Sequence, residues 1–246
     1  VPLVQQYIDK LFIFNTVGSN VPAITNVWQL TEPAMKGRVF FKSPETEKVN
    51  ENFLIMLTNK TWADKLAKAY KNLYGKDIQL GSYKNAGYKW IAEFLHNCSF
   101  GNTDTTIAEQ ISNAEASGKI GLFVLSKLRS KTVRTENLEI ASYYADGKNT
   151  TVDPFAGFMY PLYVQIVKTT TMPYTSMLFV EHLVTAAGYA PWAKNIGAYS
   201  SNASIPVNKG DQPLSYWKTR LVMEDPEYIN EAYADVFEFI SKNLTK

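Results

Sequence analysis

Short strand-forming runs alternate along this chain with stretches of helical period, and that alternation confines it to an α/β fold. Residues 3–14 are rich in strand formers and run into the turn cluster Gly18-Ser19-Asn20. Residues 21–36 read as a short helical turn or irregular connection, and 38–42 as a buried strand closed by Ser43-Pro44. From Glu47 the period becomes 3.6. Val49, Phe53, Met56 and Leu57 share one face, and Trp62, Leu66, Ala69, Tyr70 and Leu73 repeat it in a second helix that ends at Gly75. Residues 83–95 keep the helical spacing. Thr103-Asp104-Thr105-Thr106 opens another helix, with Glu109 in capping-box register to Thr106, and Gly118 should stop it after 117. Strands are expected at 120–125, 138–144 and 161–168, the last with strict alternation, and helices at 173–187, 214–222 and 226–243. The expected fold class is α/β: a mixed sheet flanked by helices.

Composition removes whole classes of function. The 246 residues carry 25 Lys plus Arg against 23 Asp plus Glu, a formal net charge of +2, so no long-range field attracts nucleic acid. The single cysteine, Cys98, excludes an internal disulfide and a thiolate metal cage, and two histidines leave no histidine-rich metal site. The longest apolar run, 120–125, is far short of the roughly 20 residues of a membrane-spanning helix. Nucleophile elbow, Walker loop, dinucleotide fingerprint and zincin motif are all missing. His182 lies in a mostly apolar helix, and the spacing of His96 and Cys98 does not make a nucleophile–base pair. No catalytic residue, no metal ligand and no cofactor is therefore expected.

Binding is better supported. In open α/β sheets ligands sit beyond the carboxyl ends of strands, beside helix N-termini that offer free N–H groups. Three junctions carry suitable side chains: Lys42 and Ser43 with Asn50, Glu51 and Asn52; Asp104 with Thr105 and Thr106; and Ser126 with Lys127 and Arg129. Taken singly, each is more often a helix cap or a solvated surface. Their combination favours a binding edge. The pair Tyr143-Tyr144 has the chemistry to ligate Fe(III), against the plainer reading of two aromatics finishing a strand.

The order of segments carries a resemblance. Tyr7 to Asn15 looks like a crossing strand between two lobes. Val27-Trp28-Gln29-Leu30-Thr31 with Met35-Lys36-Gly37-Arg38-Val39 looks like a W-x-D-L … K-x-x-G-R signature. Glu115 to Gly121, then Pro161 to Lys168 with the helix after Pro173, and Gly197-Ala198-Tyr199 follow in the matching order. Together they resemble the solute-binding proteins of bacterial ABC importers, in the periplasmic-binding-protein-like class that includes the ferric-ion binding proteins.

That resemblance implies a periplasmic protein or cell-surface lipoprotein that captures a small polar or anionic solute and delivers it to membrane permease subunits. It places an anion-binding loop at Asn50, Glu51 and Asn52, a ligand-lining helix start at Asp104, Thr105 and Thr106, and polar ligand residues at Ser126 and Lys127. Leu128 and Arg129 stand where ferric binders have paired tyrosines, so Lys127 and Arg129 favour a phosphate ester over iron, and the solute class stays open between them. A non-transport interaction module, or a truncated lobe, on the same fold is the alternative. Residues 16–160 plus 206–246 would form the second lobe, and 1–15 plus 161–205 the crossing strands and part of a first lobe. The opening half of that first lobe is expected to lie outside this chain. The strand at 161–168 and the helix bearing Phe179 and Leu183 would then pack on that missing N-terminal segment or on a second copy.

Overall fold

A 13-residue strand, β1 (Leu3–Asn15), is the axis around which the chain is built. The computed structural model describes residues 3–18, 24–142 and 151–244, with the backbone of 144–145 and 148–149. After a 3-10 turn (Val27–Thr31) come β2 (Val39–Lys42), α1 (Lys48–Leu57), α2 (Lys60–Tyr74) and α3 (Ala86–Asn97). Next are β3 (Cys98–Gly101), α4 (Asp104–Ser112), β4 (Ile120–Val124), a 3-10 turn (Leu125–Arg129) and β5 (Leu138–Ile140). A small ladder, β6 (Tyr144–Ala145) and β7 (Lys148–Asn149), precedes β8 (Gly157–Val164), α5 (Pro173–Leu183), α6 (Ala186–Tyr189) and β9 (Ala198–Ser200). The chain closes with α7 (Leu214–Lys218), β10 (Val222–Met223) and α8 (Pro226–Leu244).

Among the described residues the main sheet has eight strands in the order β10-β8-β1-β4-β2-β3, with β5 and β9 also paired to β1. The class is the mixed α/β fold that the alternation implies. Both β4 and β8 run antiparallel to β1, while β2 is parallel to β4, β3 to β2, and β10 to β8. Strands β2, β3, β4, β8 and β10 therefore share one direction, and their carboxyl ends line one edge of the sheet.

The core sits between this sheet and its helices. Leu11, Phe12 and Ile13 of β1 are wholly buried, as expected of a strand covered on both faces. Trp90 stacks on Phe94 at 4.4 Å and Phe53 on Phe158 at 4.7 Å. The buried indoles are satisfied: Trp28 Nε1 donates to the Leu66 carbonyl at 2.8 Å and Trp90 Nε1 to that of Val27 at 3.0 Å. Gly157 starts β8 at φ +153, where an added Cβ would lie 2.1 Å from the Lys10 carbonyl, so only glycine allows β8 to close on β1.

Several elements depart from expectation for local reasons. The helix from Asp104 stops at Ser112 rather than 117, because Asn113 turns extended and its side chain caps a following 3-10 turn (Ala114–Ala116). Asn15 Nδ2 takes up the carbonyls of Ile111 and Asn113, which the helix end leaves free. The strand expected at 161–168 is shifted to Gly157–Val164, since β1 runs out where Leu3 pairs with Val164. The strand expected at 138–144 is cut to Leu138–Ile140, with Ser142 at φ +56 just beyond it. The helix expected over 173–187 breaks at Val184. Thr185 caps α6 by accepting from the Gly188 N–H at 3.1 Å, so Gly188 lies inside a helix rather than ending one. Strands β3, β9 and β10 had no counterpart in the sequence pattern. Among the described residues no helix is long and apolar enough to cross a membrane.

Candidate functional site

Three strand-to-helix junctions meet at the carboxyl edge of the sheet, and a buried lysine ties two of them together. Lys10 lies opposite Val124 in the β1–β4 register and is only 1% exposed. Its Nζ donates to Asn50 Oδ1 of α1 at 2.9 Å and forms an ion pair at 3.2 Å with Asp104 Oδ1, the first residue of α4. Asn50 Nδ2 in turn donates to the Lys42 carbonyl at 2.8 Å, pinning α1 to the end of β2. At the rim Lys42 pairs with Glu47. Burial holds the Lys10 ammonium below its usual pKa, against the upward pull of Asp104 and Glu47. Asp104 also sits where the α4 dipole favours a carboxylate.

A fourth junction, from β10 to α8, completes the edge. Asn52 Nδ2 donates to Glu224 Oε1 at 3.1 Å, and burial raises the Glu224 carboxyl while that bond opposes it. Beside it lies a cavity of about 390 Å³ lined by Asn52, Tyr163, Glu224, Pro226, Ile229 and Tyr233. Tyr160 of β8 is within electrostatic reach of acids from both junctions. Burial, then the charges of Asp104, Glu47, Glu224 and Asp9, push its phenol far up, so its hydroxyl stays a donor. Larger cavities of about 490 and 440 Å³ lie by α3 and α8 and contain none of these strand-end groups.

The remaining residues singled out from sequence are spread around this edge in different roles. Ser43 turns the chain: its carbonyl accepts from the N–H groups of Thr46 and Glu47, and its hydroxyl accepts from that of Glu45. Glu51 is buried and pairs with Lys48 at 2.6 Å on the side of α8, where Lys48 also donates to the Tyr233 hydroxyl. Thr106 forms a capping box with Thr103, so Glu109 is released to accept from the Thr132 hydroxyl at 2.5 Å. Thr105 is half-buried beside Asp104. After β4, Ser126 and Lys127 are half-buried, whereas the exposed Arg129 donates to Asn195. Tyr143 and the Tyr144 side chain lie outside the described residues. Lys42 was named with Ser43 at the first junction, whereas Lys10, Glu47, Tyr160 and Glu224 were missed. The signal for Lys10 was present: a charged pair, Asp9-Lys10, inside an otherwise apolar strand.

Asp9 belongs to the opposite face of β1. It is fully buried, and neither carboxylate oxygen has a hydrogen-bond partner among the described residues. Burial pushes its carboxyl well above the usual range, with Asp211 adding to the shift. Burial likewise pushes up the Cys98 thiol, which suits a packed side chain rather than a nucleophile. Among the described residues no group of three or more His, Cys, Asp or Glu is arranged to hold a metal ion.

Known structures share this architecture over almost the whole chain. The Bordetella ferric binding protein is 13% identical with a TM-score of 0.62, covering 98% of this chain and 69% of its own. Iron-bound HitA from Pseudomonas aeruginosa is 13% identical with a TM-score of 0.66, covering 98% and 68%. The periplasmic binding protein AfuA from Actinobacillus pleuropneumoniae, with exogenous fructose-6-phosphate bound, is 17% identical with a TM-score of 0.60, covering 97% and 66%. No protein-family model matches the chain, and no curated protein matches its sequence. At such identities the likeness is one of fold, and the chain has the α/β fold of periplasmic binding proteins.

Proposed function

We propose that the chain captures a small anionic, hydroxyl-bearing solute at the carboxyl edge of its sheet, for delivery to the membrane subunits of an ABC importer. The observation that carries this reading is Lys10, buried between Asn50 of α1 and Asp104 of α4, which brings two helix N-termini and the Lys42–Glu47 pair to one place. Ligands of open α/β sheets bind at such edges. The proteins of like fold include one with iron bound and one with a sugar phosphate bound.

A phosphate ester suits these groups better than ferric iron. Lys42 and Lys127 supply cationic donors, and the helix N-termini add N–H groups for a phosphoryl oxygen. Asp104, Glu224 and Asn52 accept from or bridge to hydroxyl groups, and the Tyr160 hydroxyl remains a donor. The mechanism is closure of two lobes on the solute, with residues 16–160 plus 206–246 as the second lobe and 1–15 plus 161–205 as crossing strands and part of the first. No chemical step is involved, and the working location is the periplasm or outer cell surface.

Calorimetric titration with fructose 6-phosphate, thiamine phosphate and ferric citrate tests this reading. A phosphate ester is expected to bind, and Lys42→Ala to weaken it by about tenfold or more through loss of a charge-assisted hydrogen bond. Arg129→Ala, whose guanidinium faces Asn195, is expected to stay within about twofold. Tighter binding of ferric citrate, or no binding of any solute, refutes it.

A further inference from the structure

The cavity of about 490 Å³ lies at the other end of the strands, where Lys36 precedes β2 and His96 precedes β3. Its size is that of a small-molecule pocket, about 300–1,000 Å³. Pro33, Ala92 and Tyr83 line it with apolar surface, and Lys36, Glu93 and His96 bring its titratable groups. Asn97 holds its wall in place. The Asn97 Nδ2 donates to the carbonyls of Leu30 at 3.0 Å and Glu32 at 2.8 Å, and the Asn97 carbonyl accepts from the Gly37 N–H at 2.9 Å. The segment bearing Lys36 is thereby fixed against the last turn of α3, which bears His96.

The charges at this cavity do not balance. Lys36 Nζ lies 3.2 Å from His96 Nε2, and among the described residues no carboxylate pairs with either. The acids nearby are engaged elsewhere: Glu93 pairs with Lys89 at 3.5 Å, and Glu32 accepts from the Tyr74 hydroxyl at 2.8 Å. A neighbouring cavity of about 440 Å³ shares Tyr83 and Asn243, but its lysines are paired, Lys84 with Asp235 and Lys242 with Glu238. The uncompensated cationic end is therefore the one at Lys36 and His96.

We propose that this cavity binds a small aromatic carboxylate, with its two oxygens on Lys36 Nζ and His96 Nε2 and its ring against Pro33 and Tyr83. An ammonium has only donors, so Nε2 accepts from Lys36 as the two now stand. With a carboxylate in place Nε2 carries the ring proton instead, and two adjacent nitrogens donate to the two oxygens. Tyr83 is held edge-on to Phe239 with ring centroids 6.3 Å apart, which fixes the orientation of the apolar wall. The proposal is independent of the strand-end solute. The lining residues fall within 31–97, with Asn243, at the amino ends of the strands, away from the edge on which the two lobes would close.

Imidazole nitrogen NMR on the whole chain tests it, since His96 and His182 are the only histidines and His96→Gln assigns the signal. The probe is indole-3-acetate, with indole-3-acetamide as its uncharged counterpart. The acetate is expected to saturate in the millimolar range and to move the His96 Nε2 resonance while that of His182 stays in place. The amide is expected to bind at least about tenfold more weakly. Lys36→Met, at an exposed position, is expected to weaken the acetate by about tenfold with an unchanged circular dichroism spectrum. Fructose 6-phosphate is expected not to displace it. An unmoved His96 resonance, equal affinity for the amide, or an affinity that Lys36→Met leaves intact overturns the proposal. So does displacement by fructose 6-phosphate, which would place the probe at the strand-end edge.

Discussion

Replacing Lys10 by Met removes the ammonium that joins α1 to α4 while keeping most of the buried aliphatic stem. The loss is worked from its surroundings. Lys10 is 1% exposed and its Asp104 partner 13%, so the pair is largely withdrawn from water. Removing one member of a buried pair costs about 3–5 kcal/mol, because the other charge is left uncompensated. Two features blunt that cost. Asp104 retains a path to water, and its place in the first turn of α4 stabilises a carboxylate by about 0.3–1 kcal/mol. The expected cost of Lys10→Met at pH 7 is therefore about 3 kcal/mol, the lower end of that range.

Urea unfolding, with the slope checked for two-state behaviour, measures it. The decisive comparison is the double variant Lys10→Met with Asp104→Asn, which leaves no orphaned charge. It should regain most of the loss, to within about 1 kcal/mol of the parent chain. The pH dependence has a definite sign. Burial lowers the Lys10 pKa in the folded chain, so above that value the unfolded chain binds more protons. Stability due to this residue then rises with pH until the unfolded value of about 10.4 is passed, and the Met variant lacks that rise. A cost below about 1 kcal/mol, or a double variant as unstable as the single one, refutes the view of Lys10 as the tie between the two helices.

Two further predictions concern β1 and its neighbours. The raised folded pKa of Asp9 means that the folded chain holds its proton more firmly than the unfolded chain, so its contribution to stability falls as pH rises above about 3.9 toward the folded value. Asp9→Asn should therefore gain on the parent chain between pH 4 and pH 8, and urea midpoints that move in parallel across that range would show that Asp9 is not buried as a neutral acid. Gly157→Ala should cost about 3 kcal/mol, since a Cβ meets the Lys10 carbonyl at 2.1 Å and φ is +153. A thermal or urea midpoint equal to that of the parent would mean that β8 does not close on β1 as described.

What the sequence disclosed, and what it hid, follows from the range of the interactions involved. Helices α1, α2 and α8 were legible because local spacing and caps determine them, as with Gly75 at φ +69 ending α2. Strands β9 and β10, of three and two residues, are too short to show a period, and only their partners on β1 and β8 define them. The candidate site divides the same way. Asn50 and Asp104 could be picked out as polar residues at helix starts. That they share one lysine could not, because Lys10 lies 40 residues from Asn50 and reaches it only through strand register. Arg129 shows the converse: its position after a strand suggested a ligand, but a residue 66 positions away, Asn195, receives its guanidinium. Local chemistry thus nominates the groups at a strand end, and the direction shared by β2, β3, β4 and β10 decides which of them meet. The charge balance of +2 is silent on this, since Lys10, Lys42, Glu47 and Asp104 cancel among themselves while still setting donors and acceptors side by side. A near-neutral cluster of this kind binds by hydrogen-bond pattern more than by long-range attraction, so a phosphate ester held there should keep most of its affinity in high salt. A steep fall in affinity with added salt would instead point to simple charge attraction at the exposed rim.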